Sequence, residues 1–154
     1  MSSTPDHRHV PDNIHVNVAS PAGAYTVGNV SFFRYIVRLA EFALPLTLAD
    51  REAIAILDAI PHAFEADEDV PMISGRGWRI VPAQGDLDWP VLEATPQRLR
   101  SALERAQSLL WTHAAAFPVN AREMSAIEHE LDLVFGVLMR AEAGGFVVNV
   151  SYVA

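Results

Sequence analysis

The stretch that decides the fold is residues 95–153, TPQRLRSALERAQSLLWTHAAAFPVNAREMSAIEHELDLVFGVLMRAEAGGFVVNVSYV. Thr95-Pro96 opens it as a helix start. A threonine oxygen can cap the first turn, and proline is pre-set for the first helical position, where its missing N–H costs nothing. Leu99, Ala102, Leu103, Ala106, Leu109, Leu110, Ala114 and Phe117 then recur at steps of three and four. That period predicts a helix with one buried face, running to about Phe117, where Pro118 breaks it. Asn120 can cap a second helix, with Glu123 at the capping-box position. Ile127, Leu131, Val134, Phe135 and Leu138 form its core stripe. Gly144-Gly145 closes it, because a left-handed terminal residue costs least as glycine. From Phe146 the period drops to two, with Phe146, Val148, Val150 and Tyr152 on one side, which predicts a strand to Val153. The connection between the two helices is short, so they should pack as an antiparallel hairpin.

Working outward toward the N-terminus, Ile14, Val16 and Val18 alternate with His15 and Asn17. This predicts a half-buried strand over 13–19. A turn at Ser20-Pro21-Ala22-Gly23 leads to a short strand within Tyr25–Val30. Ser31–Leu44 is apolar nearly all round, the signature of a buried helix, and Pro45 ends it. Thr47 caps another helix over 48–60, with Asp50 in its first turn and Pro61 beyond. Val70–Ile73 and Trp78–Val81 read as a hairpin around Ser74-Gly75-Arg76-Gly77. Residues 82–93 read as irregular. The order β-(β)-α-α-β-β-α-α-β predicts an α+β fold. Its small, mostly antiparallel sheet joins the first and last strands to a central hairpin and is covered by two αα pairs. Residues 1–12 are expected to be a flexible tail on a single domain spanning 13–154.

Composition narrows the chemistry. The 154 residues include no cysteine, which excludes disulfide scaffolds, thiolate metal sites and a cysteine nucleophile, and fits a cytoplasmic protein. No apolar run reaches the ~18 residues of a membrane-spanning helix, and the polar N-terminal segment does not read as a secretory signal. All eleven basic residues are arginine, which with twenty-three alanines points to a GC-rich, bacterial genome. The net charge of -8 sits in the middle of the chain: residues 41–95 hold eleven acids and three arginines, and the remainder balances. Such a segment repels phosphate backbones and favours a basic protein partner, or simply confers solubility.

Candidate sites follow from these patterns, each beside a plainer alternative. Glu65, Asp67, Glu68 and Asp69 form an acidic loop, and Asp86 and Asp88 flank Leu87 beside Trp89. Both are candidate docking carboxylates. Two carboxylates are too few for a calcium loop, so no metal and no cofactor is expected. Arg76 and Arg79 around the Gly75/Gly77 turn could grip an anion, or pair with the neighbouring acids. His113 lies on the apolar face of its helix, where Glu128 of the next helix could approach it. This is the one candidate catalytic pairing, against the alternative of a core histidine. Trp111 falls off the apolar face and is a candidate interface residue unless the sheet or the N-terminal segment buries it. His7, His9 and His15 read as solvated.

The sequence therefore leads to a non-catalytic cytoplasmic domain that binds another protein, an accessory, adaptor or immunity-type inhibitor with an acidic face against a basic partner. Neither nucleic acid nor membrane is expected as a partner. The alternative is a small enzyme or ligand-binding protein with a pocket between the helix pair and the sheet. A homo-oligomer would follow if the terminal strand left a bare sheet edge.

Overall fold

The computed structural model describes residues 15–28, 36, 38, 46–62, 77–82, 90–112 and 121–153. It contains β1 (His15–Ser20), β2 (Gly23–Val27), α1 (Leu48–His62), β3 (Trp78–Val81), β4 (Val91–Ala94), α2 (Pro96–Thr112), α3 (Ala121–Gly144) and β5 (Val148–Val153). The five strands form one antiparallel sheet in the order β2-β1-β5-β4-β3. The fold is α+β, as the order of elements predicts.

Strand alternation sorts the sheet into two faces. Val16 and Val18 of β1, Val27 of β2, Trp78 and Ile80 of β3, Leu92 and Ala94 of β4, and Val148 and Val150 of β5 are all buried. The register brings them together, with Val16 opposite Val27, Val18 opposite Val150, and Leu92 between Val150 and Ile80. They share one core with Ile56, Leu57 and Ile60 of α1, Leu99, Leu103 and Leu110 of α2, and Leu131, Val134 and Leu138 of α3. Ile36, in helical conformation, is fully buried in the same core. The opposite face carries Asn17, Ala19, Thr26, Arg79, Glu93, Asn149 and Ser151, none of them buried.

Helix ends follow the local chemistry. At α1 the backbone N–H of Thr47 donates to Asp50 Oδ2 at 2.9 Å while the Asp50 N–H donates to Thr47 Oγ1 at 3.1 Å, a reciprocal capping box. At α2 the N–H groups of Arg98 and Leu99 both reach the Thr95 carbonyl, with Pro96 in the first turn. At the end of α3 Gly145 adopts φ +73°; its N–H donates to the Glu142 carbonyl, and that of Phe146 to the Ala141 carbonyl. This pair of bonds is the Schellman closure.

Three expectations change. Residues 91–93, read as irregular, form β4 together with Ala94, because β5 and β3 satisfy their backbone from both sides. The hairpin therefore pairs Trp78–Val81 with Val91–Ala94; residues 70–73 lie outside the described residues. α1 continues through Pro61 to His62. The terminal strand β5 is interior, between β1 and β4, so the premise for a bare terminal edge does not hold. Most of the predicted helix over 31–44 lies outside the described residues.

Candidate functional site

α2 and α3 form the predicted antiparallel hairpin, and side chains clasp it at both ends. Near the start of α2, the Arg100 guanidinium grips Glu142 of α3 with two bonds, Nε to Oε2 at 3.0 Å and Nη2 to Oε1 at 3.2 Å, while Nη1 reaches Glu104 at 3.4 Å. These carboxylates, Glu142 foremost, hold the Arg100 guanidinium above its ordinary pKa. At the other end the Trp111 indole N–H donates to Glu128 Oε1 at 2.7 Å. Two pairs near opposite ends of a hairpin fix its register.

Trp111 is 57% exposed. The interface reading of the sequence required this, and the helix geometry explains it. Leu99, Ala102, Leu103, Ala106 and Leu110 occupy the buried face of α2, and position 111 falls about 100° beyond Leu110. Glu104 lies seven residues before Trp111, two turns along the same side of the helix, and its side chain is 53% exposed. Asp132, one turn beyond Glu128 on α3, is also exposed. Further along α3, Met139 is 62% exposed. The outward side of the hairpin thus presents Trp111 among Glu104, Glu128 and Asp132, with Arg100 already committed to Glu142.

The acidic middle segment is less uniform than its count of charges suggests. Four of its acids lie among the described residues: Asp50, Glu52, Asp58 and Glu93. Asp50 is only 4% exposed and accepts a 3.1 Å bond from Arg105 of α2. Its carboxyl is held below the ordinary value chiefly by the Thr47 backbone N–H, against the opposing effect of burial. Glu93 pairs across β3–β4 with Arg79, Nε to Oε1, at 2.7 Å. Asp50 and Glu93 therefore serve internal contacts. Glu52 is exposed and Asp58 partly buried.

Of the residues singled out in the sequence, Arg79 reaches Glu93 on its neighbouring strand, and Glu128 reaches Trp111. His113, Arg76, Glu65, Asp67, Glu68, Asp69, Asp86 and Asp88 lie outside the described residues, as do His7 and His9. His15 sits on β1 with its Nδ1 against the Gly28 carbonyl. Among the described residues no three metal-binding side chains converge.

Sequence reasoning passed over a trench along α2. Three adjoining cavities of about 160, 420 and 320 Å³ share Ser101. Arg98 and Arg105 line it, with Glu52 and Ala53 of α1 on one wall and Asp50 and Glu104 among its charges. The 98, 101, 105, 108 spacing, all polar and at helical steps, was its signal. Two of the cavities lie between α1 and α2, and the third borders Gly77 and Thr95, where α2 leaves the sheet. Its charges are mixed, with Arg105 already bonded to Asp50.

Among the described residues no helix is long and apolar enough to cross a membrane. Compared with known protein families, curated proteins and solved structures, the chain matches none.

Proposed function

We propose that this domain binds another protein rather than performing chemistry, and that it docks through the outward side of the α2–α3 hairpin onto a basic partner. The observation that carries the reading is Trp111: a large aromatic side chain, more than half exposed, yet tethered by a 2.7 Å hydrogen bond. An exposed, pre-positioned tryptophan loses little conformational freedom on docking, and tryptophan is among the side chains that dominate interface energetics. The acids around it and the net charge of -8 favour a partner of opposite sign and speed its approach. An accessory, adaptor or inhibitory role in the cytoplasm belongs to the same proposal and fits a chain free of cysteine.

The test is affinity capture from the native host with the wild-type chain and with Trp111→Ala, each checked for folding by circular dichroism. The expected result is a stoichiometric partner with a basic surface that the variant loses. Recovery of only a self-oligomer, or a partner held equally well by both chains, would sink the proposal.

A further inference from the structure

We infer that the docking point at Trp111 takes one arginine side chain of the partner, its guanidinium lying on the indole face and donating to Glu128. This deepens the docking proposal and rests on it. The argument starts from the chemistry of the two groups. The indole face carries negative quadrupole potential and attracts a cation, more so than tyrosine or phenylalanine would. Glu128 Oε1 holds the indole N–H at the ring edge. That bond uses one carboxylate oxygen; among the described residues Oε2 has no partner. A cation on the ring face is therefore placed beside a carboxylate that can still accept.

Charge supports the same occupant. Among the described residues on this side of the hairpin, Glu104, Glu128 and Asp132 stand with Glu142, and Arg100 is paired within them. Arg100 is bonded to Glu142 and Glu104. Acidic side chains outnumber basic ones there, and among the described residues no arginine is bonded to Glu128. A guanidinium fits better than an ammonium because it is planar, stacks on an aromatic ring and donates in parallel to a carboxylate. An acidic or purely apolar contact would leave these carboxylates facing like charge or stripped of water.

The experiment uses the full chain with ¹⁵N-labelled tryptophan, following the indole N–H resonances. Trp111 is assigned by its loss in Trp111→Phe. The probes are a peptide of alternating glycine and arginine and the same peptide with citrulline, which keeps the shape and removes the charge. The expected result is a saturable shift of the Trp111 resonance with the arginine peptide alone. Trp111→Ala should weaken binding about tenfold and Trp111→Phe less. Glu128→Gln, which can still accept the indole bond, should weaken it severalfold and flatten its salt dependence. Equal shifts with citrulline, an unmoved Trp111 resonance, or undiminished binding by Trp111→Ala would overturn the inference. If a captured native partner depends on Trp111 while the arginine peptide is silent, the arginine inference falls and the docking proposal stands. If the native partner ignores Trp111, the docking proposal itself falls.

Discussion

Asp50 at the start of α1 and Arg105 in the middle of α2 meet at 3.1 Å, and the same carboxylate closes the capping box with Thr47. One buried side chain thus ends a helix and ties it to its neighbour. Asp50→Ala removes both and strands the Thr47 N–H. It is expected to cost about 2–3 kcal/mol, whereas Asp50→Asn, which keeps a capping oxygen, should cost about 1 kcal/mol. The carboxyl is held below its ordinary value in the folded state, so its stabilisation is complete above the unfolded value of ~3.9 and fades as pH falls through the folded value. Denaturant titrations should show a constant gap between wild type and Asp50→Asn from neutral pH to about pH 5, narrowing below about pH 4. A gap unchanged at lower pH would mean that the charge contributes nothing.

Two left-handed glycines should respond differently to alanine. Gly77 has φ +78°, and a Cβ there would lie 2.8 Å from Arg98 Cγ and 3.0 Å from its Cβ. Those atoms belong to the stem of Arg98, close to the helix backbone, so they cannot swing aside. Gly145 has φ +73° with open space around it. Gly145→Ala should cost about 1–2 kcal/mol from backbone strain alone. Gly77→Ala should cost that and about 1–3 kcal/mol more from overpacking. Thermal unfolding of both variants checks the ranking, and equal losses would mean that the β3–α2 contact yields easily.

The Arg100–Glu142 clasp is expected to stabilise the hairpin modestly. Both side chains are about one-third exposed, at 28% and 33%, which limits the gain, while the two-pronged geometry raises it. A double-mutant cycle with Arg100→Gln and Glu142→Gln should give a coupling of about 1 kcal/mol that shrinks in high salt. Arg100→Lys should lose most of it, because an ammonium cannot donate in a fork.

Much of the framework was legible because local chemistry and tertiary packing agree there. Thr47 and Asp50, Thr95-Pro96, and Gly145 mark helix ends by their own hydrogen bonding. Val16 and Val18, like Val148 and Val150, alternate cleanly because they point to the face of the sheet that carries the shared core. β4 was illegible because Val-Leu-Glu-Ala has little strand preference of its own. Its partner β5 lies far along the chain and β3 across residues 82–90, and only pairing makes it a strand. The acidic segment was legible as a charge count but not as a surface. Spacing in sequence does not reveal that Asp50 is enclosed by Arg105 and that Glu93 is matched by Arg79. Glu128 was tied in sequence to His113, which lies outside the described residues; its carboxylate reaches the indole of Trp111. That partner becomes visible only once the hairpin register is known.

Trp111 also permits a test of whether it serves the fold or something outside it. A tryptophan that holds a core together is buried, and its truncation typically costs 3–5 kcal/mol. Trp111 leaves more than half its surface in water and makes one surface hydrogen bond, to Glu128. Trp111→Ala is therefore expected to cost no more than about 1 kcal/mol, the sum of a modest packing loss and one exposed charge-assisted bond. Glu128→Ala should cost about as little, and the two losses should be coupled because they remove the same contact. Urea denaturation of the two single variants and the double variant measures all three quantities. A loss near 3 kcal/mol for Trp111→Ala would make the side chain part of the scaffold and remove the support on which the docking proposal rests. A small loss leaves an exposed, tethered aromatic ring that the fold itself does not need.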